Sequence, residues 1–136
     1  MSYALREHTA DVAVEATGDT LDATFAAVGD GMAAAMCDDI PDGGDRFDVT
    51  VRAEGLEALL FDYLDELIYQ RDVRAVLPVD NEVEVVDADG EWELSGSARG
   101  VPLDDVDARE IKAVTYSEMA VEERPDGWRA YVVLDV

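Results

Sequence analysis

The chain holds one lysine, Lys112, against nine arginines and 33 acidic residues. It lies in the apolar run Ile111-Lys112-Ala113-Val114-Thr115-Tyr116. A lysine ammonium can contact a phosphate or serve as the countercharge of carboxylates, and it can also be a plain surface charge. The sequence alone leaves these three roles open for Lys112.

A histidine and an aspartate lie three residues apart near the start of the chain, in His8-Thr9-Ala10-Asp11. The alternating pattern from Asp11 to Ala16 predicts a strand. The imidazole and the carboxylate would therefore lie at one end of a sheet. Considered singly, each is more simply interpreted as a solvated or capping residue.

Asp135 interrupts the apolar run Tyr131-Val132-Val133-Leu134, one residue before the terminal Val136. Its carboxylate, the terminal carboxylate and another nearby aspartate would supply the oxygen ligands that calcium or magnesium prefers. Sequence spacing does not show whether Asp11 is that third group.

Other catalytic and metal-binding patterns are excluded or disfavoured. Zinc is disfavoured because the chain has one histidine and one cysteine. No phosphate-binding glycine loop and no Gly-x-Ser-x-Gly motif occurs. Asp87-Ala88-Asp89-Gly90 lacks the later ligands of a calcium loop and predicts a hairpin turn instead.

The formal net charge is −23. Such a charge is self-repulsive at low salt and is screened at molar salt, which favours a protein of a halophile with a salt-rich cytoplasm. No basic stripe is present to neutralise phosphates, so we expect no autonomous nucleic-acid binding. We also expect a cytoplasmic protein with no membrane association, because the chain lacks a signal peptide and a membrane-spanning apolar run.

The hydrophobic pattern predicts one α+β domain over residues 1–136, with two layers. Two amphipathic helices would pack on a largely antiparallel or mixed sheet. One helix begins after the N-cap Thr20 and ends near Met36, and the other carries an apolar stripe from Leu56 to Ile68. The predicted strands lie at Val12–Ala16, Phe47–Val51, Val73–Leu77, Val83–Val86, Trp92–Arg99, Ala113–Glu123 and Trp128–Leu134, with a loop over Gly100–Arg109.

Four segments together resemble the archease family, in order and over essentially the whole chain. They are His8-Thr9-Ala10-Asp11-Val12, Thr20-Leu21, Ile111-Lys112-Ala113-Val114-Thr115-Tyr116 and Val132-Val133-Leu134-Asp135-Val136. The resemblance implies a small α+β protein that is not itself an enzyme. It implies an activator of the RNA-splicing ligase RtcB that promotes guanylylation and multiple turnover in tRNA splicing.

The resemblance also implies site residues. The family's metal site maps onto Asp11, Asp135 and Val136, with calcium the usual ion and magnesium or manganese as alternatives. Lys112 matches a lysine needed for activation, and His8 would orient the site. One departure is Ser117, where many members of the family have histidine.

Two other functions remain open at this level. One is a stand-alone metal-dependent phosphoesterase that uses the same carboxylates. The other is a chaperone-like partner of RNA-modifying enzymes.

Overall fold

The computed structural model describes residues 2–8 and 11–136, with the side chains of residues 2 and 6–8 outside that description. Within these residues, seven strands, two α-helices and one 3-10 turn follow each other. In order they are β1 (Ser2–His8), β2 (Asp11–Gly18), α1 (Leu21–Met36), β3 (Asp45–Ala53), α2 (Leu56–Arg74), β4 (Val76–Ala88), β5 (Glu91–Pro102), the 3-10 turn Leu103–Asp105, β6 (Ala113–Arg124) and β7 (Gly127–Asp135).

The strands form two antiparallel sheets. Sheet A has four strands in the order β1-β2-β7-β6, and sheet B has three in the order β3-β5-β4. The predicted α+β class with two helices and largely antiparallel strands is confirmed. The division into two sheets is added by the structure.

Each helix packs on both sheets. Helix α1 lies against β2 of sheet A and β4 of sheet B, and α2 lies against β3 of sheet B and β6 of sheet A. Helix α1 is consequently buried around most of its circumference, including six consecutive residues from Thr24 to Gly29. Its N-cap is Thr20, as predicted, with the Thr20 hydroxyl accepting from the Ala23 N–H at 3.1 Å.

Two glycines of α1 mark its closest contacts. A Cβ at Gly29 would lie 2.7 Å from the Tyr63 hydroxyl of α2, and one at Gly31 would lie 2.6 Å from Cγ1 of Val14 in β2. Each glycine lowers helix propensity by about 1 kcal/mol relative to alanine. Close packing of α1 on its neighbours accounts for both residues.

A bulge in β4 joins sheet B to α1. The pairing of β4 with β5 shifts between Val79 and Glu82, and Asp80 adopts a left-handed conformation with φ 48°. The freed Asn81 N–H donates to the carboxylate of Asp30 in α1 at 2.9 Å, and the Asn81 amide donates to the same oxygen at 2.9 Å. The buried Tyr63 hydroxyl donates to Asn81 at 2.6 Å, so α1, α2 and β4 share one polar network.

The structure corrects the sequence prediction in four respects. The predicted strand Val73–Leu77 is wrong in its first residues, because α2 continues to Arg74 and ends at Ala75, which has φ 55°. The strands predicted at Val73–Leu77 and Val83–Val86 belong to one long strand, β4. Strand β1 was not predicted, and the interval predicted as loop after Gly100 includes the end of β5 and a 3-10 turn.

The hairpin turn predicted at Asp87–Gly90 is confirmed. Asp89 and Gly90 connect β4 to β5 with φ 55° and φ 88°, which are typical of the primed turns that suit hairpins. Among the described residues, no helix combines the length and the hydropathy needed to cross a bilayer.

Substitution Gly29→Ala should lower the free energy of unfolding. The added methyl group must displace the Tyr63 hydroxyl or the Asn81 amide, and overpacking of this kind costs about 1–3 kcal/mol. Chemical denaturation in molar potassium chloride measures the change. Gly55→Ala is the control without a steric clash, because a Cβ there meets open space; it replaces the glycine N-cap of α2 and so carries only the cost of a weaker cap. Equal stability of the two variants would contradict this account of α1 packing.

Substitution Asp30→Asn should stabilise the protein at neutral pH. Burial raises the pKa of the Asp30 carboxyl above its ordinary value of 3.8, and the Asp80 carboxylate adds to this, while the Asn81 hydrogen bonds act in the opposite direction. A raised folded-state pKa means that the stability Asp30 contributes is present below its unfolded pKa and is lost as pH rises through the folded pKa. The asparagine is neutral at every pH and retains an acceptor oxygen.

The stability gained with Asp30→Asn should therefore shrink as the pH is lowered from about 7 to about 4. Denaturation of both proteins across that range gives the difference directly, and the effects of carboxylates that do not interact with Asp30 cancel in it. A difference that is constant with pH would contradict the assignment.

Candidate functional site

Strand pairing in sheet A brings the three segments singled out in the sequence to one end of the sheet. Asp11 of β2 lies directly opposite Asp135 of β7, and Asp135 lies opposite Ala113 of β6 on its other side. The main-chain N–H of Lys112 donates to the Asp135 carbonyl at 2.8 Å. We call the row formed by Asp11, Asp135 and Ala113 the acidic row.

The acidic row lies on the face of sheet A that is turned away from the core. The adjacent row of Val12, Leu134 and Val114 belongs to the hydrophobic core, and alternation along each strand places the acidic row on the opposite face. Side chains directly opposite in an antiparallel pair have Cβ atoms about 5 Å apart. Two carboxylates, both half-buried, therefore lie side by side.

The oxygen atoms of these residues are donors of the type that hard cations prefer. Carboxylate and main-chain oxygens are ligands of calcium and magnesium, whereas zinc sites favour histidine and cysteine. Within the part of the chain that the structure describes, no three His, Cys, Asp or Glu side chains are close enough to hold a metal. Asp11 and Asp135 would contribute two groups to such a site, and the oxygen predicted for Val136 would be a third.

The segment before β6, residues 106–112, is held in place by the C-terminal end of α1. Arg109 donates from its main-chain N–H to the Met36 carbonyl at 2.7 Å and from Nε to the Ala35 carbonyl at 2.9 Å. These carbonyls are in the last turn of α1 and accept no hydrogen bond from an N–H of the helix itself. The two hydrogen bonds from Arg109 supply the missing donors. We call residues 106–112 the connector.

Arg71 of α2 holds the other end of the connector. Its side chain is buried, and Nη1 donates to the Ile111 carbonyl at 3.2 Å, while Asp72 accepts from its Nε at 3.0 Å. Sequence reasoning missed this residue. The sequence did contain a signal that Arg71 is buried. Arg71 follows Leu64, Leu67 and Ile68 at helical spacing and so lies on the apolar stripe of α2.

The side chain of Lys112 differs from those of most arginines in the hydrogen bonds that it makes. Side chains of seven arginines donate hydrogen bonds within the protein: Arg46, Arg52, Arg71, Arg74, Arg99, Arg109 and Arg129. The Lys112 side chain is exposed and makes no hydrogen bond or ion pair with any described residue. Its main chain contacts Asp135 while its ammonium does not, which disfavours the role of countercharge to the acidic row.

Beyond Thr115 the strand β6 becomes irregular. Its pairing with β7 shifts between Thr115 and Ala120, and Glu118 has a left-handed conformation with φ 65°. Tyr116 stacks on Phe61 of α2, with ring centroids 4.4 Å apart, and remains half exposed. Ser117 is exposed within this irregular stretch, and no role is assigned to it.

His8 pairs with Asp11 in the β1–β2 ladder, which places its main chain beside the acidic row. The His8 side chain lies outside the described residues, and so do Thr9 and Ala10, so the orienting role predicted for His8 stays a prediction. A hollow of about 310 Å³ lies at the other end of sheet A, lined by Gly18 and Trp128 among others. The acidic row itself is on a strand surface outside that hollow.

Comparison with known proteins gives one family over nearly the whole chain. Residues 3–136 match the model of the Archease protein family (MTH1598/TM1083). The archease of Pyrococcus furiosus is 37% identical, over 96% of this chain and 95% of that protein. The archease of Methanosarcina acetivorans is 36% identical, over 98% of this chain and 95% of that protein.

Two solved structures share the fold. Protein 1598 of Methanobacterium thermoautotrophicum, solved in solution, has a TM-score of 0.86 and 27% identity, covering 98% of both chains. A Thermotoga maritima archease, described as a possible chaperone, has a TM-score of 0.63 and 21% identity, covering 96% of this chain and 94% of that one. The second likeness concerns the fold alone. With the family match and the curated relatives, these likenesses lead to one conclusion: this chain belongs to the archease family.

Proposed function

We propose that this protein is a non-catalytic, metal-binding activator of the RNA-splicing ligase RtcB, promoting its guanylylation and multiple turnover in tRNA splicing. The observation that supports it most is the register of β2 with β7. That register sets Asp11 opposite Asp135, next to the main chain of Lys112. Two residues that the family resemblance assigns to the metal site and the lysine that it assigns to activation therefore share one end of one sheet.

Asp11, Asp135 and an oxygen of Val136 would hold the cation, and we propose calcium. Two half-buried carboxylates facing each other repel, and a divalent cation between them would replace that repulsion with attraction. Calcium takes six to eight oxygen ligands, so positions beyond the protein ligands would be open to water or to a phosphate oxygen. Magnesium and manganese accept similar donors.

Lys112 is proposed to meet the partner or its nucleotide directly. Its ammonium is exposed and has no partner among the described residues, while the connector fixes its main chain. A lysine held in this way presents a point charge suited to a phosphate.

A protein partner fits the charge better than bare RNA. With a net charge of −23, the chain would be repelled from a phosphate backbone, and most of its arginines make internal hydrogen bonds. The acidic end would therefore act at an enzyme that itself holds the RNA and the nucleotide.

Removing Lys112, Asp11 or Asp135 should abolish activation without unfolding the protein. Guanylylation of the ligase and RNA joining over many turnovers are measured in molar potassium chloride with calcium, with the wild type, Lys112→Ala, Asp11→Asn and Asp135→Asn. Losing a charged group that meets a desolvated partner should lower the stimulated rate by about tenfold or more.

Two control variants remove a positive or a negative charge from a strand of the other sheet. Arg52→Ala removes one positive charge from exposed β3, and Asp48→Asn removes one negative charge from the same strand. Both should stimulate like the wild type.

Stimulation retained in all three site variants would refute the mechanism. Turnover of RNA or nucleotide with no ligase present would favour a metal-dependent phosphoesterase. Stable binding to other RNA-modifying enzymes without stimulation would favour the chaperone-like alternative.

Substitution Arg71→Met should loosen the connector and so the position of Lys112. The methionine keeps the aliphatic packing but leaves the Ile111 carbonyl without its guanidinium donor. Hydrogen exchange of the Lys112 amide, which is bonded to Asp135, should become faster, and ligase stimulation should fall with it. Arg74→Met is the control, because the Arg74 side chain donates to Gln70 on the same helix and lies over the Phe47 ring of β3, so among the described residues it does not contact the connector. Unchanged exchange at Lys112 would contradict the positioning role.

A further inference from the structure

The ring of Tyr116 is held in a fixed orientation at the protein surface. It stacks on Phe61 of α2, with ring centroids 4.4 Å apart and an angle of 6° between the ring planes, and 53% of Tyr116 is exposed. Phe61 covers one face of the ring, so the opposite face is open to solvent. Tyrosine is enriched among the residues that dominate protein interfaces, since a rigid ring loses little conformational entropy on binding. Tyr116 is therefore suited to a contact with another molecule.

The main chain that follows Tyr116 departs from regular sheet structure. The pairing of β6 with β7 shifts between Thr115 and Ala120, and Glu118 has the left-handed φ of 65°, which is uncommon for a residue with a side chain. Bulges of this kind change the direction of side chains and are common beside binding sites. Tyr116 thus begins a segment that is set apart from the regular ladder.

Two carboxylates of α2 lie near Tyr116. Burial raises the pKa of the Tyr116 hydroxyl above its ordinary value of 10.0, and the charges of Asp62 and Glu57 raise it further. Neither carboxylate forms an ion pair with a described residue. The surroundings of the ring therefore favour a positive charge and disfavour a negative one. We call Tyr116, Asp62 and Glu57 the aromatic–acidic cluster.

Elsewhere in this protein a similar cluster is completed by an arginine. The Arg129 guanidinium lies over the Tyr131 ring, 5.4 Å from its centroid. The same guanidinium is ion-paired with Glu15 at 2.6 Å and with Glu122 at 2.8 Å. One guanidinium thus meets an aromatic face and two carboxylates together. The aromatic–acidic cluster has the ring and the two carboxylates, but no guanidinium from the described part of the chain lies over its ring.

An arginine side chain fits the cluster better than a lysine or a nucleotide does. A guanidinium is planar, so it can stack on an aromatic ring and donate to carboxylates at the ring edge at the same time. A lysine ammonium is a point charge and does not stack. A nucleobase stacks on tyrosine, but the phosphates that it carries would be repelled by the two carboxylates.

We propose that the aromatic–acidic cluster binds an arginine side chain of the ligase that this protein activates. The inference rests on the proposed function and adds a docking contact to it. Tyr116 follows Lys112 by four residues, and α2 contacts the chain at both places, through Phe61 at the ring and through Arg71 just before Lys112. The arginine contact anchors the protein beside the nucleotide, so it contributes affinity and takes no part in guanylylation.

Substitution Tyr116→Leu should weaken binding to the ligase by about tenfold. Leucine keeps an apolar contact with Phe61 but presents no aromatic face to a guanidinium. Tyr116→Phe and Tyr116→Trp retain that face and should bind like the wild type. For the leucine variant, the concentration that gives half-maximal stimulation of guanylylation should rise by the same factor, and the stimulation at saturation should be unchanged.

Substitution Asp62→Lys distinguishes an arginine from a nucleotide. The new ammonium repels a guanidinium, so affinity for the ligase should fall by about tenfold or more, whereas it would attract a phosphate and tighten the binding of a nucleotide. Asp48→Lys makes the same charge change on exposed β3, and Tyr3→Leu removes an exposed tyrosine at the opposite edge of sheet A. Both controls should bind like the wild type.

The experiment combines calorimetric titration of the ligase with guanylylation assays over a range of protein concentrations, in molar potassium chloride with calcium. Thermal unfolding of each variant measures whether the fold is retained. If Tyr116→Leu melts well below the wild type, Asp62→Lys decides alone, because it changes an exposed side chain.

Each other result has a distinct meaning. A wild type that neither binds nor stimulates the ligase overturns the proposed function, and the arginine contact with it. A wild type that binds, together with a folded Tyr116→Leu variant of equal affinity, overturns only the arginine contact. Tighter binding of Asp62→Lys also overturns it and identifies a phosphate-bearing occupant instead.

Discussion

The antiparallel pairing of β2 with β7 is the constraint on which the rest of the site depends. It joins residues from the two ends of the chain, and its register is fixed by the core face, where Val12, Val14 and Ala16 lie opposite Leu134, Val132 and Ala130. A slip of one residue would turn these side chains outward and bring Asp11 and Asp135 towards the core. The hydrophobic effect that sets the register therefore also sets the two carboxylates opposite each other.

Helix α1 makes this pairing rigid from the inside. It contacts β2 closely at Gly31, and its acidic side chains hold sheet B, with Asp22 accepting from the Val85 N–H at 2.8 Å and Asp30 accepting from Asn81. Its C-terminal carbonyls hold the connector through Arg109. One helix thus positions both the sheet that carries the carboxylates and the segment that carries Lys112, so packing far from the site bears on its geometry.

Local signals in the sequence predicted most of the helices and strands. They did not determine which strands pair with each other or where each helix packs. The Thr20 cap, the stripe of α2 and the turn at Asp89-Gly90 depend on residues near one another in sequence, and all three are as predicted. The end of α2 was missed because β-branched Val73 suggested a strand, whereas Arg71 and its contacts extend the helix. The proximity of Asp11 and Asp135 depends on pairing across more than a hundred residues, which periodicity does not specify. Arg71 was missed for the same reason, since its significance lies in its contact with Ile111, forty residues further along the chain.

The charges of the acidic row bear on what the site binds. Like charges directly opposite each other on a sheet are unfavourable, and the one lysine of the chain could offset them. The structure places that lysine so that its main chain bonds Asp135 while its ammonium extends to solvent, without a partner among the described residues. The charge of Lys112 is therefore not used within the described part of the chain. Under the proposed function, the two carboxylates would hold a cation and Lys112 would meet a phosphate, so that the two would be complementary parts of one surface and not alternative ways to neutralise it.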